Sequence, residues 1–190
     1  DLEAGRAFAR YKDIDGDGVP YRTYPGTHPA RGGYFTRGTT KNPQAGYSEA
    51  GPDYVYNMKR LLQKFDTAKA LVPQPLLTPA AGPTKLGAIY FGSTSPAMDE
   101  ANSSLCDQGM HLDLLRLRAF PFPDSVNEFI ASHESVFVVE QNRDGQMRSL
   151  LINEFGIDPA RLQAVLHYDG TPITAPIIVD ALSSPLAPRP

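Results

Sequence analysis

The sequence predicts an α/β protein with three layers. A mainly parallel sheet is flanked by helices and preceded by an irregular N-terminal arm and one long helix. Three observations carry this reading. Residues 134–156 (ESVFVVEQNRDGQMRSLLINEFG) run from a continuous apolar stretch, Val136 to Val139, through a polar crest into a helical pattern of Met147, Leu150, Leu151 and Phe155. Such a run is how a strand buried on both faces reads, and the spacing that follows it is that of a helix with one apolar face. The same strand–crest–helix unit recurs on both sides of this stretch, and strands alternating with helices imply a mainly parallel sheet with crossover connections. By contrast, residues 1–50 are rich in Gly, Pro, Thr and Tyr and hold few apolar runs.

Residues 1–51 read as the irregular arm, too poor in apolar residues to close a core, so that another surface has to order them. Residues 52–72 read as a helix with an apolar stripe of Met58, Leu61, Leu62, Phe65, Ala68 and Val72, while Lys59, Arg60 and Lys64 lie off the stripe. Residues 73–84 (PQPLLTPAAGPT) read as a Pro-rich linker, and residues 85–190 as the sheet domain, its part from 85 to 182 folding without the arm.

Within that domain, residues 85–92 (KLGAIYFG) form a strand, and Ser93-Thr94-Ser95-Pro96 opens a helix with a Ser cap and Pro at the first helical position. Residues 111–120 form a second strand, and Asp124 or Ser125 caps a helix reaching Ile130. The Val136 strand and its helix follow, then a strand at 162–168 and a last helix at 173–182.

A formal net charge of −3 argues against a nucleic-acid surface, and no apolar run is long enough for a membrane span. The single cysteine, Cys106, permits no disulfide within the chain and cannot by itself supply the four thiolates of an iron–sulfur cluster; a cytoplasmic home is the default. The chain starts at Asp1 without Met or a signal pattern, as a processed or cut piece does.

The crest at the carboxyl end of a strand is where open α/β sheets meet ligands or partners, which makes Glu140, Asn142 and Arg143 contact candidates; the competing reading is that these residues only cap the following helix. Asp13, Asp15, Asp17 and Gly18 match the start of a calcium loop, but Tyr24 stands where a bidentate acid is required, so a turn with no metal site is expected. Gly16-Asp17-Gly18 opens a diphosphate–magnesium motif but lacks the preceding buried strand and the downstream pair of asparagines. His111, His133 and His167 have no metal-ligand spacing. His133-Glu134 reads either as an acid–base pair or as the end of a helix, and residues 92–95 either as an anion cradle or as a helix cap. No nucleophile motif and no catalytic residue is assigned.

Taken together, residues 88–99 (AIYFGSTSPAMD), 112–121 (LDLLRLRAFP), 137–148 (FVVEQNRDGQMR) and 166–174 (LHYDGTPIT) resemble, in order and spacing, the C-terminal part of the α subunit of 2-oxoacid:ferredoxin oxidoreductases, of the 2-oxoglutarate type. Arg10-Tyr11, residues 17–22 (DGVPYR) and residues 34–38 (YFTRG) are similar to the stretch that precedes this domain in the family. The resemblance departs at Thr40-Lys41-Asn42-Pro43, where the family runs through a His-Asp/Asn-Glu pattern, and at Pro176.

The resemblance implies a transketolase C-terminal-like domain whose work is structural and at subunit contacts. The intact enzyme would decarboxylate a 2-oxoacid oxidatively, form an acyl-CoA from coenzyme A and reduce ferredoxin. Thiamine diphosphate, Mg2+ and the iron–sulfur cluster would sit in the intact complex with the β subunit; this segment binds no cofactor and is inactive alone. An arginine in this part of the family's α subunit is associated with recognition of the substrate carboxylate. Arg22 matches it by motif, with Thr23 as a neighbouring hydroxyl donor; otherwise Arg22 is solvated or paired with Asp15 or Asp17. The reading from another class is a stand-alone binding module that uses the strand-end crest, with a divalent ion on the Asp13–Asp17 loop.

Overall fold

Central strands with continuous apolar runs need cover on both faces, and the computed structural model, which describes residues 1–33 and 38–184, supplies it. The strands are β1 (Leu76–Thr78), β2 (Leu86–Phe91), β3 (Asp113–Leu117), β4 (Ser135–Glu140) and β5 (Leu162–Leu166). The helices are α1 (Gly51–Leu71), α2 (Ser95–Asp107), α3 (Asp124–Ser132), α4 (Gln146–Phe155) and α5 (Ala175–Ser183). The sheet order is β1-β3-β2-β4-β5, with β2, β3, β4 and β5 parallel and β1 antiparallel to β3. Ile89 stands opposite Leu115 on one side and Val138 on the other. The α/β, mainly parallel, three-layer expectation therefore holds.

The period of two along each strand sorts side chains into two cores. Ala88, Tyr90, Phe137 and Val139 meet Met98, Ala101 and Leu105 of α2 and Ile178 and Leu182 of α5. Ile89, Val136 and Val138 point the other way, to Val126, Phe129 and Ile130 of α3 and Leu151 of α4. Each such aliphatic side chain contributes about 1.5–3 kcal/mol by leaving water.

The chain divides into two units, Asp1–Val72 and Pro73–Pro190. This alters two readings. The expected linker 73–84 contributes β1 to the sheet. Leu76 and Leu77, bracketed by Pro75 and Pro79, form a short exposed edge strand, the one place in a sheet that tolerates flanking prolines. The arm, in turn, is not left without a surface inside its own unit, because it lies on α1. The Tyr56 hydroxyl donates to the Tyr11 carbonyl and accepts from the Asp13 amide, the Thr67 hydroxyl donates to the Asp17 carbonyl at 2.6 Å, and Asn57 Nδ2 donates to the Lys41 carbonyl at 2.5 Å.

The helix buries a polar face beside its apolar stripe, not the stripe itself. Asn57 and Arg60 are its buried residues, whereas Met58, Leu62 and Phe65 are exposed, Leu62 by 71%. The arm offers backbone carbonyls and amides rather than apolar side chains, so polar residues of α1 turn toward it.

Caps also differ from expectation. A 3₁₀ turn, Gly92–Thr94, leads into α2, and no side chain caps α2 or α3; Asp124 lies within the first turn of α3. Pro176 falls in the first turn of α5, where its missing N–H costs nothing, while Thr174 serves through its carbonyl, accepting from the Ile178 amide. Among the described residues no helix is long and apolar enough to cross a membrane.

Candidate functional site

The strand-end crest is the first candidate. It sits at the switch point where β3 and β4 flank β2 on opposite sides. Glu140, the last residue of β4, is fully buried, so it is not at a contact surface. Its carboxylate accepts from Asn142 Nδ2 at 2.7 Å and from the backbone amides of Met147 at 2.8 Å and Arg148 at 3.1 Å. A buried carboxylate saturated in this way is a helix cap reaching across the crest.

Asn142 is likewise engaged, its Oδ1 accepting from the Asp144 and Gln146 amides. Gln141 spans the crevice. Its Nε2 donates to Ser93 Oγ at 3.1 Å and Thr94 Oγ1 at 3.2 Å, and its Oε1 accepts from the Ile173 amide at 3.1 Å. Thus the hydroxyls of the 92–95 stretch are spoken for by a side chain, not arranged around an anion. Arg143 projects outward, pairing at 2.8 Å with the exposed Asp144 and holding that carboxylate below the usual range.

His133 and His167 are structural. The His133 ring pairs with Asp113 at 3.0 Å, not with the exposed Glu134, and its Nδ1 lies 2.6 Å from the Phe129 carbonyl. His167 Nε2 lies 2.8 Å from the Thr171 carbonyl and 3.1 Å from Asp169, whose carboxyl is held low first by its bonds from Thr171.

In the first unit, the Asp13–Asp17 loop is a turn wired by its own amides. Asp13 accepts from the Gly16 amide at 2.9 Å and the Gly18 amide at 3.0 Å, Asp17 from the Val19 amide at 2.8 Å, and Asp15 from the Tyr21 hydroxyl at 2.8 Å. The turn packs backbone to backbone on α1. Gly18 has φ +78°, and a Cβ there would lie 2.6 Å from the Arg60 carbonyl oxygen and closer still to the Lys64 amide nitrogen. Only glycine satisfies both conditions.

This contact sets up the second candidate. Beyond the turn, Arg22 is exposed and makes no hydrogen bond or ion pair with the described residues, Asp15 and Asp17 included. It stands between two concavities. One, of about 440 Å³, is lined by Phe8, Arg22, Thr23 and His28 together with Asp1 and Glu3. The other, of about 370 Å³, is lined by Arg10, Tyr11, Arg22, Arg60, Leu61 and Lys64. Thr23 directs its hydroxyl oxygen to Arg10 and accepts from it. Arg60 is 7% exposed; its Nη1 donates to the Gly18 carbonyl at 3.1 Å, its guanidinium lies 5.7 Å from the Tyr11 ring centroid, and its Nε has no partner.

In the sequence Arg60 reads only as a residue off the apolar stripe of α1. The signal that would have found it is the polar series Asn57, Arg60, Lys64 and Thr67, a second face at helical spacing. Residues 34–37 of the YFTRG motif lie outside the described residues.

The second unit thus has the doubly covered, mainly parallel sheet of an α/β domain, its crest closed by its own side chains. Comparison with solved structures shows the same fold in a 2-oxoglutarate:ferredoxin oxidoreductase from Magnetococcus marinus with 2-oxoglutarate, coenzyme A and succinyl-CoA bound. The TM-score is 0.78 and the identity 19%, over 93% of this chain and 30% of that one. This chain therefore spans about a third of the length of that relative. A match to the alpha chain of a probable 2-oxoacid ferredoxin oxidoreductase from Thermoplasma acidophilum has 24% identity over 57% of this chain and 93% of that one; its TM-score of 0.39 is too low to bear on the fold. No family model matches the sequence, and no curated protein matches it significantly.

Proposed function

We propose that this chain is a segment of the α subunit of a 2-oxoacid:ferredoxin oxidoreductase, of the 2-oxoglutarate type, working in the cytoplasm as part of a heteromeric complex. The observation that carries the reading is the shared fold over 93% of the chain, which runs through the arm as well as the sheet. The motif resemblance at residues 17–22 and 137–148 supports it independently. In this reading the intact enzyme converts its 2-oxoacid and coenzyme A to an acyl-CoA, releases carbon dioxide and passes the electrons to ferredoxin.

The residues of this segment do not fit the cofactors of that reaction. Gly16-Asp17-Gly18 is a diphosphate motif in letters only. Asp17 accepts from its own loop, and Gly18 is pressed against the backbone of α1, which leaves no room for a diphosphate–magnesium pair. Cys106 lies alone in α2. Thiamine diphosphate, Mg2+ and the cluster therefore belong to other segments and the β subunit, and the chain alone is inactive. Its contributions are a scaffold, a subunit contact and the positioning of substrate. The open apolar stripe of α1, Met58, Leu62 and Phe65, supports the contact, since exposed apolar surface of this kind marks an interaction face.

Arg22 would hold the 2-oxoacid carboxylate. Its planar fork pairs bidentately with a carboxylate, and it has no competing partner among the described residues. Thr23 stands beside it with its hydroxyl proton still to donate. In the assembled complex Arg22→Lys keeps the charge but loses the fork, and the KM for the 2-oxoacid should rise about tenfold, the effect of roughly 1.4 kcal/mol, while that for coenzyme A is unchanged. An unchanged KM in both Arg22→Lys and Arg22→Ala would remove Arg22 from the site. The stand-alone binding module has no observation in its favour, because the polar groups of the crest bond to one another.

A further inference from the structure

We propose that the cavity behind Arg22, walled by Arg10, Tyr11, Arg60, Leu61 and Lys64, is a binding site for a multiply charged phosphate group, separate from the carboxylate role of Arg22. Four cationic side chains line a space of about 370 Å³, and among the described residues no acidic side chain lines it. Lys64 makes no ion pair among the described residues, and neither does Arg22. Arg60 is the decisive member. A guanidinium withdrawn from water without a carboxylate costs several kcal/mol, and one carbonyl and one ring face offset only part of that. Its Nε is left as a buried donor with no acceptor. Buried donors in a cavity of uniform sign call for an anion.

The chemistry of the lining selects the class of anion. A monocarboxylate neutralises one of the four charges, whereas a phosphate or diphosphate offers more charge and enough oxygens to meet two forks and an ammonium together. The space matches the small-molecule range of about 300–1,000 Å³ and exceeds what a lone carboxylate fills. Tyr11 and Leu61 give it an apolar wall, suited to the non-phosphate part of a phosphorylated molecule. Gly18 builds the site, because its close approach brings the turn and the carbonyl that orients Arg60 onto α1.

The test uses the full chain, without partners, in phosphate-free buffer of low ionic strength, so its outcome is independent of the proposed enzyme. Inorganic pyrophosphate, ADP and succinate are titrated calorimetrically. Saturable one-to-one binding of pyrophosphate is expected, weakened about tenfold by Lys64→Gln and lost in Arg60→Gln, while Lys59→Gln, a charge removed elsewhere on α1, leaves it unchanged. Tighter binding of ADP than of pyrophosphate would assign the phosphate to a nucleotide-like ligand, and the reverse to a free inorganic anion. Should Arg60→Gln fail to fold, the comparison of Lys64→Gln with Lys59→Gln decides. The proposal is overturned by no saturable pyrophosphate binding, by equal affinity in those two variants, or by succinate binding as tightly as pyrophosphate.

Discussion

Two glycines two residues apart in one turn separate the cost of a backbone conformation from the cost of a contact. Gly16 and Gly18 have φ of +77° and +78°. A Cβ at Gly16 meets nothing within 4 Å, whereas at Gly18 it collides with the backbone of α1. Gly16→Ala should therefore cost only the left-handed conformation, about 1–2 kcal/mol. Gly18→Ala carries the same cost and must also lift the turn from the helix. That breaks the Arg60 bond to the Gly18 carbonyl, a charged bond of about 1.5–3 kcal/mol, and the Thr67 bond to the Asp17 carbonyl, a neutral one of about 0.5–1.5 kcal/mol.

The difference between the variants is then about 2–4.5 kcal/mol, roughly 30- to 2,000-fold in the equilibrium for opening the turn. Native-state hydrogen exchange reads it directly at the Val19 amide, which bonds to Asp17 within the turn. If opening constants in the two variants agree within about threefold, the turn is not held by α1, and the account of the cationic cavity fails with it.

Other consequences follow from single contacts. Glu140→Gln should destabilise the sheet unit by about 2–4 kcal/mol, because an amide nitrogen replaces one of two oxygens that both accept; the urea midpoint should fall with the slope unchanged. Arg161→Ala, which strips a guanidinium from the Ile130, Ala131 and His133 carbonyls at the end of α3, should cost about 1.5–3 kcal/mol, and a loss below 0.5 kcal/mol would refute that capping role. Burial first, and then the charge of Asp99, raises the Tyr90 hydroxyl above the usual tyrosine range near 10. The stability it contributes is present below that range and lost as pH rises through the folded value, so Tyr90→Phe should flatten the alkaline limb of stability, read as the urea midpoint against pH. Leu62→Lys should leave the isolated chain within about 0.5 kcal/mol of wild type yet weaken its capture by a β subunit; undiminished capture would place the contact elsewhere.

The sheet was legible because its signals are periodic. Val136 to Val139 reads as a twice-covered strand whatever the neighbours are, and the Met147 to Phe155 spacing leaves no other element possible. Strand β1 was hidden because three residues between prolines carry no period; only the free edge of β3 makes Leu76–Thr78 a strand. The orientation of α1 was hidden for a different reason. Its apolar stripe is real, but which stripe is buried depends on what the rest of the unit offers, and the arm offers carbonyls. For the crest, residue type alone did not separate contact from capping. Glu140 and Asn142 are polar either way, and only their bonds to α4 decide it. Arg22 was legible as a motif, but its neighbours Arg60 and Lys64 lie about forty residues on and meet it only through the docking at Gly18.

The outward stripe of α1 has a thermodynamic corollary. A helix that meets its arm through hydrogen bonds, one cation–ring contact and a glycine's close approach, and leaves Leu62 and Phe65 in water, draws little apolar stabilisation from its own chain. Any subunit that covers the stripe binds the folded form alone, so it raises the melting temperature of this unit by mass action. The midpoint for residues 1–72 should climb with the concentration of that subunit.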